Sequence, residues 1–396
     1  MRTLPTQSYL PHAIICVVLM GLGFICSLGG NTLKHESGKV VPAIHENSTR
    51  HASIVFGGDV MTHLPQITAA KRDSTYDFTE AFKYVKPFFD TADVVVLNLE
   101  TTISATGNYS GYPLFSSPPE LISALQKSGV DILALANNHI CDKGSAGIRS
   151  TVATIEKAGL KYTGAFADSA SYTRLHPLRF DAGGIRFSLL NYTYGTNGMP
   201  VPRGMIVNTI DTARIAADLE KAAADNADAI IVYFHWGVEY MREPTQHEKE
   251  LALWCHEKGA DIVVGSHPHV LQRPRTTVDS AGIVRQVTVY SMGNLISNQR
   301  KRYTDGGMLI RLDFEMRDTP AIIEAQYMLT WVHLNYDNGQ RHYHILPSPV
   351  ADTLLDKGTP SSISYNLFMT DSHRLLDNIP GFSEITLPLH LHTADK

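Results

Sequence analysis

Residues 93–100, DVVVLNLE, hold the pattern that decides the fold. An apolar, valine-rich run of this length that ends in polar residues predicts a buried β-strand. An amphipathic stretch follows it, and the same order of run and stretch occurs on both sides. The neighbouring runs are SIVFGGD at 53–59 and VDILALANNH at 130–139, and the amphipathic stretches are DFTEAFKYVKPFF at 77–89, SPPELISALQKSG at 117–129 and SAGIRSTVATIEKAG at 145–159. This β-α rhythm predicts an α/β protein.

Local signals for helix ends agree with this phase. Ser117 stands before two prolines and can cap the helix that follows. Gly129 and Gly159 stand where the second and third amphipathic stretches should stop, since glycine is favoured just past a helix end.

The alternation resumes further along the chain. Residues 178–192 predict a hairpin that turns at Gly183 and Gly184. Two more helix-strand pairs follow, with strands DAIIVYFHWG at 228–237 and ADIVVGSHPH at 260–269. After Gly282 the pattern becomes strand-rich. We predict a main domain over residues 52–330 and a C-terminal appendage of loop and helix over residues 331–396.

The composition indicates an ordinary globular protein and disfavours nucleic acid as a partner. The chain has 396 residues, of which 43% are hydrophobic and 18% charged, with a formal net charge of -5. Such a balance gives no field that would gather a polyanion such as DNA. The one compact basic cluster, residues 300–302, is expected to be a solvated loop.

An apolar run near the N-terminus predicts export. Residues 13–29, AIICVVLMGLGFICSLG, carry no charge. The run is at the lower length limit for a membrane span, and Ser27 and Gly29 form a small-x-small cleavage pattern. A membrane anchor is favoured over a cleaved signal, and a lipoprotein signal is third because Ile25 precedes Cys26. Residues 1–30 are therefore predicted as signal-anchor or signal peptide and residues 31–51 as a linker. The main domain would lie outside the cytoplasm at the bacterial cell envelope, anchored to the membrane, or secreted if the signal is cleaved.

Metal-binding side chains fall where predicted strands end and loops begin. Open α/β sheets hold ligands at this edge, because the carboxyl ends of parallel strands meet there. Each motif alone is weak, and the joint pattern carries the prediction. The residues are Asp59 and His63; Asn98 and Glu100; Asn137, Asn138 and His139; His235 and Glu239; His267 and His269; and Ser291 and Asn294.

This donor set suits a pair of divalent ions. Imidazole, carboxylate and amide oxygens favour Mn, Fe or Zn, and no cysteine is required. A carboxylate can bridge two such ions, and a shared water then loses its proton near neutral pH, so hydrolysis is predicted. His267 and His269 flank Pro268 in a segment predicted to be extended, where side chains at i and i+2 face the same side. His139, beside Asn138, could donate a proton to the leaving group.

Six motifs in order, GGDVM, NLET, ALANNHICDKG, HWGVEY, GSHPHVLQ and YSMGN, resemble the CapA-type capsule biosynthesis family, also called the poly-γ-glutamate synthesis protein family. The resemblance covers about residues 52–315. It implies a fold similar to the calcineurin-like metallophosphoesterases, an α-β-β-α sandwich of two mixed sheets flanked by helices. It also implies membrane-associated work in making or exporting poly-γ-glutamate capsule.

The resemblance also implies roles for single residues. Asp59 matches the first metal carboxylate, Glu100 a bridging carboxylate, and Asn138 the amide ligand; His139 matches the proton donor. His235 and His267 would hold the second ion and His269 the first. One position departs from the pattern, because phosphoesterases have a histidine where this chain has Met61, so that His63 or water would have to replace it. The expected surrounding or substrate-binding residues are Asn98, Asn137, Trp236, Glu239, Ser291 and Asn294.

Three functions remain open from the sequence. The first is a metal-dependent hydrolase or transferase acting on poly-γ-glutamate or another cell-envelope polymer. The second is a non-catalytic subunit that holds an anionic polymer for a membrane-bound synthase. The third is a secreted metallophosphoesterase. No serine-hydrolase elbow, phosphate-binding P-loop or dinucleotide fingerprint competes with them.

Overall fold

The computed structural model describes residues 49–317 and 319–385. The predicted targeting segment and nearly all of the predicted linker lie outside these residues. Within them, none of the helices combines the length and the apolar character needed to cross a membrane. The first strand begins at Arg50, two residues before the predicted start of the main domain.

Strands and helices alternate through most of the chain. The strands are β1 Arg50–Val60, β2 Lys71–Arg72, β3 Thr75–Tyr76, β4 Val94–Leu99, β5 Thr102–Ile103, β6 Ser116–Ser117, β7 Ile132–Ala134, β8 Lys161–Thr163, β9 Ala165–Phe166, β10 Leu178–Ala182, β11 Ile185–Thr193, β12 Ile206–Val207, β13 Ala229–His235, β14 Ile262–Ser266, β15 Arg275–Val278, β16 Val284–Val289, β17 Asn294–Ile296, β18 Gly306–Met316, β19 Pro320–Asp337, β20 Gln340–Pro347 and β21 Ser383–Glu384. The helices are α1 Leu64–Ala70, α2 Thr79–Phe82, α3 Lys86–Phe89, α4 Glu120–Lys127, α5 Gly144–Lys157, α6 Ser169–Leu175, α7 Thr212–Ala224, α8 Gln246–Glu257, α9 Ser348–Leu354 and α10 Pro360–Leu376.

Two halves of one hydrogen-bonded array form the two sheets of the sandwich. In the first half, β1, β4, β7 and β8 run parallel, and β18, β19 and β20 continue it in antiparallel fashion. In the second half, β11, β13, β14 and β16 run parallel, with β10 antiparallel at the edge. The halves are joined by the register pair Val284 and Ile322, between β16 and β19. The array therefore folds over at a narrow connection.

Three hydrophobic clusters separate four layers. The inner cluster combines residues of β1 and β4, such as Phe56 and Val96, with residues of β11 and β13, such as Phe187 and Ile231, so the two sheets pack face to face. The Tyr233 hydroxyl also donates to the Gly57 carbonyl across this interface, at 3.1 Å. A second cluster packs helices α2 to α5 on the outer face of the first half, and a third packs α7 and α8 on the second half. The predicted α-β-β-α sandwich is confirmed.

The helix-end predictions have mixed outcomes. Gly129 and Gly159 follow the ends of α4 and α5 with φ of 93° and 76°, in the left-handed region where glycine is favoured, as predicted. The predicted cap at Ser117 is wrong, because α4 begins at Glu120 and the capping position is occupied by Pro119. The Ser117 hydroxyl instead lies 2.7 Å from the Thr101 hydroxyl, at the edge that carries the candidate site.

The last described part of the chain packs onto the first half of the sandwich. β19 is an 18-residue strand, and the boundary predicted at residue 330 falls inside it. Helices α9 and α10 follow β20. The Tyr365, Phe368 and Leu376 side chains of α10 join the inner hydrophobic cluster, and so does Ala351 of α9. Both helices therefore add to the core at the edge formed by β18 and β19.

Candidate metal centre

The predicted ligands converge at the carboxyl ends of the parallel strands. Asp59 lies near the end of β1 and pairs in register with Asn98 of β4 on one side and Asn294 of β17 on the other. Glu100 directly follows β4, and His235 is the last residue of β13. The remaining ligands follow the ends of β7 and β14. They are Asn138, His267 and His269.

Glu100 lies at the middle of a buried cluster of acidic and imidazole groups. Glu100 Oε1 is 3.6 Å from His235 Nε2 and 3.8 Å from His269 Nε2. Asp59 Oδ2 is 2.8 Å from His269 Nδ1. The glutamate and aspartate are 0% exposed, as is His235. Among the residues that the structure describes, no lysine or arginine forms a salt bridge or hydrogen bond with these two buried carboxylates.

Two overlapping groups of ligand atoms could each hold an ion. In one, Glu100, His267 and His269 offer atoms within 4.8 Å of one another; in the other, Asp59, Glu100 and His235 do so. Glu100 belongs to both groups, as a bridging ligand must. The resemblance implied a different division of the histidines between the ions, and the division stays a prediction.

His267 and His269 reach the cluster through an unusual backbone. Their φ angles are 101° and 58°, in the left-handed region that non-glycine residues rarely adopt. The expectation that they extend β14 is therefore wrong, because β14 ends at Ser266. The Tyr240 amide donates to the Pro268 carbonyl at 2.8 Å and helps to hold this turn. Backbone of this kind costs about 1–3 kcal/mol per residue and is concentrated at functional sites.

Amide side chains fix the orientation of the central groups. Asn98 Nδ2 donates to Asp59 Oδ1 at 2.8 Å and to Glu100 Oε2 at 3.3 Å. Asn137 in turn donates to Asn98 Oδ1 at 3.2 Å and to the Leu99 carbonyl at 2.7 Å. Both predicted surrounding residues thus belong to one buried network, in which each carboxylate has a neighbouring amide donor.

Asn138 and Ser266 flank the His235 ring. The His235 Nε2 atom is 3.1 Å from Asn138 Oδ1, and Nδ1 is 3.1 Å from the Ser266 hydroxyl. When the Ser266 hydroxyl accepts a hydrogen bond from Nδ1–H, the Nε2 lone pair of the neutral ring is directed toward Glu100 and Asn138, where a cation could receive it. Asn138 therefore lies where the resemblance implied an amide ligand.

Burial shifts the charges of the cluster in a direction that suits a cation. Burial, with the negative charge of Asp59 added, raises the pKa of the Glu100 carboxyl well above its usual range. For Asp59 burial also acts upward, but the hydrogen bond and charge of His269 outweigh it and hold its pKa below the usual range. Burial lowers the pKa of His235 well below its usual range and that of His267 to about 3. The His235 and His267 imidazoles are therefore neutral near pH 7, and each has a free lone pair.

Two polar atoms in this network lack a protein partner. Glu100 Oε1 and His267 Nδ1 are both buried and accept no hydrogen bond within the described residues. An unsatisfied buried polar atom costs about 1–3 kcal/mol, and more if it is charged. A divalent ion bound by the carboxylate and the imidazoles would satisfy the Glu100 oxygen, so the residues present fit such an ion.

His139 forms a pair with a carboxylate that the sequence patterns did not single out. Asp142 Oδ2 lies 2.8 Å from His139 Nδ1 and also accepts the Phe115 amide at 2.6 Å. The Phe115 ring packs edge-on against the imidazole, at 4.7 Å between centroids. The Asp142 carboxylate thus directs Nδ1–H toward itself and leaves Nε2 for other chemistry. The i, i+3 spacing in the loop after β7 was the available signal.

The other predicted surrounding residues fall into two groups. Ser291 donates to the Val270 carbonyl at 2.7 Å, and Asn294 donates to the Thr304 carbonyl at 2.8 Å, so both brace the loops of the site. Glu239 is exposed at the mouth. Trp236 packs in the outer cluster against Phe234, and its indole N–H donates to a backbone carbonyl at 2.9 Å, facing away from the site.

The position that departs from the phosphoesterase pattern is buried. Met61 is 2% exposed, and its backbone amide donates to the Ile296 carbonyl. His63 does not belong to either group of ligand atoms. Its Nδ1 accepts the Asn298 amide at 3.3 Å, its ring packs against Phe115, and burial lowers its pKa to about 4. His63 therefore has a structural contact in place of a ligand position in this conformation.

Tyr194 forms one wall of the site and was not predicted. Its ring stacks parallel to that of His235 and lies 4.6 Å from the His267 ring. Its hydroxyl is 3.5 Å from Asn138 Nδ2, and 46% of the residue is exposed. Tyr194 therefore separates two of the ligands from solvent while remaining accessible itself.

Comparison with known proteins agrees with the motif resemblance. Residues 53–299 match the family model described as bacterial capsule synthesis protein PGA_cap. The capsule biosynthesis protein CapA of Bacillus anthracis is 27% identical over 328 residues, which span 80% of this chain and 73% of the relative. The PGA biosynthesis protein CapA of Bacillus subtilis is 27% identical over 289 residues, 70% of this chain and 72% of the relative.

Two solved structures show a partial likeness to this chain. The NAD nucleotidase of Haemophilus influenzae has a TM-score of 0.44 and 12% identity; the match covers 83% of this chain and 61% of that chain. The calcineurin-like phosphoesterase YfkN of Bacillus subtilis has a TM-score of 0.41 and 13% identity, with 83% of this chain and 98% of that chain covered.

Proposed function

The chain belongs to the bacterial capsule synthesis protein family PGA_cap, and from this premise we propose that it processes an anionic capsule polymer such as poly-γ-glutamate at a divalent-metal site. The family match covers residues 53–299 and confirms the resemblance seen in the motifs. The proposed reaction is hydrolysis, or transfer, of an amide link in the polymer. The proposed location is the outer side of the membrane, in contact with subunits of a membrane-bound synthase. It rests on the apolar run at residues 13–29.

One observation carries the proposal of a metal-dependent enzyme. A buried carboxylate, Glu100, has an unpartnered oxygen within 4 Å of two imidazole nitrogens, on His235 and His269. Burial lowers the pKa of the His235 imidazole well below its usual range, so this ring is not a permanent cation. A second carboxylate, Asp59, lies beside the first. Added positive charge would stabilise such a set in its ionised form, and two ions of the Mn, Fe or Zn type suit its ligands.

The residues have distinct roles in this mechanism. Asp59, Glu100, Asn138 and the three histidines of the two ligand groups would hold the ions, which supply Lewis-acid polarisation of a carbonyl oxygen and acidify water. His139, oriented by Asp142, lies beside them as the general acid. In amide hydrolysis the carbonyl carbon takes the water oxygen and the C–N bond breaks. Both water protons end on the released amine, one of them through His139.

Metal content tests the proposal directly. The full-length chain, purified in detergent and incubated with Mn, Fe and Zn salts, should retain up to two ions per molecule. Glu100→Gln and His267→Ala should each lower the bound metal. Glu243→Gln and His247→Ala are matched controls, because both side chains are exposed and neither belongs to the two groups of ligand atoms. Wild-type protein that retains no metal contradicts the proposal.

Turnover tests the reaction class. The metal-loaded full-length chain should shorten poly-γ-glutamate, with one new amine per cleaved bond, and His139→Ala should lower the rate by about 10²–10⁴-fold, the usual contribution of a general acid. Absence of cleavage or transfer with poly-γ-glutamate, in protein shown to carry metal, contradicts the proposed reaction.

Met61 supports a second candidate function, a polymer-holding subunit without catalysis. It occupies the place of an expected histidine, and His63 does not replace it. If this alternative holds, the chain binds poly-γ-glutamate but does not change its length. Met61→His should then bind more metal than the wild type, and the wild type should show no turnover. Wild-type turnover removes this alternative.

A further inference from the structure

The mouth of the site carries a tyrosine fixed to the metal-binding turn. The Tyr240 amide donates to the Pro268 carbonyl, and its φ of 67° is in the left-handed region. Its ring centroid is 6.1 Å from that of His269, and 43% of the residue is exposed. Gln299 Nε2 lies 3.5 Å from the Tyr240 hydroxyl. Tyr240 is therefore a surface next to the ligands that a bound polymer would meet.

A lysine lies over the Tyr240 ring. Lys301 Nζ is 5.3 Å from the Tyr240 centroid, within the range of a cation–π contact, and the residue is exposed. Within the described residues, no carboxylate lies within salt-bridge distance of Lys301. Glu239, the nearest acidic residue along the chain to Tyr240, is exposed at the same mouth. Lys301 thus adds an uncommitted positive charge beside the site.

The two arginines that flank Lys301 have other partners. The Arg300 guanidinium donates to the Val332 carbonyl at 2.7 Å and lies over the Tyr343 ring. Arg302 forms a two-pronged salt bridge with Asp371, with both N–O distances at 2.9 Å. The flanking residues therefore anchor the loop to β19 and α10. Residues 300–302 are exposed and lie in a loop, as expected. Within the described residues, Lys301 is the member of this cluster whose charged group has neither a carboxylate nor a backbone carbonyl as partner.

We propose that Lys301 binds a free carboxylate of the polymer chain and so selects an anionic substrate for the metal site. The inference rests on the proposed function, because it assigns the residue that recognises that substrate. A chain of glutamate units joined through their side chains carries one free carboxylate per unit. When one amide link lies at the ligands, the carboxylate of a nearby unit can lie over Tyr240 and pair with Lys301. Tyr240 holds the polymer backbone between these two points.

Binding and turnover together test the inference. The full-length metal-loaded chain is compared with Lys301→Ala and Lys301→Glu, with Lys157→Glu as a matched control at an exposed position on α5. The probes are poly-γ-glutamate of defined length and the same polymer with methyl-esterified carboxylates. We expect about threefold weaker binding for the alanine variant, which loses one exposed ion pair, and about tenfold for the glutamate variant, which replaces that pair with repulsion.

Three further readouts separate charge recognition from damage to the site. The loss should appear in KM with kcat nearly unchanged, should shrink in about 1 M salt, where the screening length is about 3 Å, and should vanish with the esterified polymer. Wild-type affinity in Lys301→Glu overturns the inference. A second outcome is possible: the wild type binds the polymer without turnover, and Lys301→Glu binds it more weakly than the wild type. This result supports recognition by Lys301 and overturns only the proposed reaction.

Discussion

Glu100→Gln removes a buried carboxyl group whose ionisation is costly in the metal-free protein. Burial and the charge of Asp59 raise the pKa of Glu100 well above 4.5, so the folded chain binds this proton more tightly than the unfolded chain does. Stability of the metal-free wild type should therefore fall as the pH rises from 4.5 through the raised pKa. Each unit of pKa difference is worth about 1.4 kcal/mol. Because glutamine has no such proton to lose, the metal-free variant should be the more stable protein at pH 8.

Added metal should reverse this order. An ion that binds only the folded chain stabilises it by about 2.7 kcal/mol at 100 times its Kd. For a domain of this size about 1 kcal/mol corresponds to about 2 °C in Tm, so the wild type should gain about 5 °C. Glu100 is the residue shared by both groups of ligand atoms, and its loss should remove most of that gain. Relative to the wild type, Glu100→Gln is thus expected to have a higher Tm without metal and a lower Tm with metal.

Thermal unfolding of chelator-treated and metal-loaded protein, measured between pH 5 and pH 8, checks both halves of this expectation. The difference between variant and wild type isolates Glu100, since the histidines of the site are the same in both proteins. Glu243→Gln, at an exposed position, should follow the wild type at every pH. The reasoning is refuted if the metal-free Glu100→Gln protein is the less stable one at pH 8, or if metal raises the Tm of both proteins equally.

Two more substitutions test the supports of the site. Asp142→Asn should lower turnover by about 10²–10⁴-fold with bound metal unchanged, because the carboxylate 2.8 Å from Nδ1 sets the orientation and tautomer of His139; steady-state rates and metal analysis check this, and an unchanged rate counts against it. Gly58→Ala should destabilise the fold by about 1–3 kcal/mol or more and lower metal uptake, because an added Cβ would lie 1.9 Å from the Gly293 carbonyl oxygen. Denaturant unfolding measures this loss, and Gly195→Ala, in open space, should leave both properties unchanged.

The position of the ligands could be predicted because it depends on chain direction alone. Parallel strands bring their carboxyl ends to one edge, so polar residues after β1, β4 and β13 had to meet there. The same alternation that brings His235 to this edge sends its neighbour Trp236 to the opposite face of the sheet. The outward position of Trp236 was therefore available from the sequence, although it was expected near the site. Asn98 and Glu100, two residues apart, lie on one face for the same reason.

Features set by loops could not be predicted in this way. His267 and His269 approach the cluster through left-handed backbone, for which an extended segment was expected. Asp142 and Tyr194 lie on loops whose direction depends on contacts far along the chain, such as that between Asp142 and Phe115. Neither periodicity nor local propensity encodes such contacts. The three-residue spacing between His139 and Asp142 was therefore only a weak signal, because the two residues lie in a loop and not in a helix.

The energetic cost of the site argues that a cation belongs in it. Two histidines in left-handed backbone cost about 1–3 kcal/mol each, and the unpartnered Glu100 oxygen adds a further desolvation penalty. Packing alone would favour apolar residues here, since a buried pair of charges is often no more stabilising than hydrophobic replacements. The same features become favourable when a divalent ion lies between Glu100 and the imidazoles, because each cost then corresponds to a ligand bond. The first-ion half that the resemblance implied, with Asp59 and His269, differs in one respect. These two side chains already lie 2.8 Å apart, so an ion there competes with an existing contact and should bind more weakly than its neighbour. Titration with metal should therefore show two unequal affinities, and two equal ones would contradict the argument.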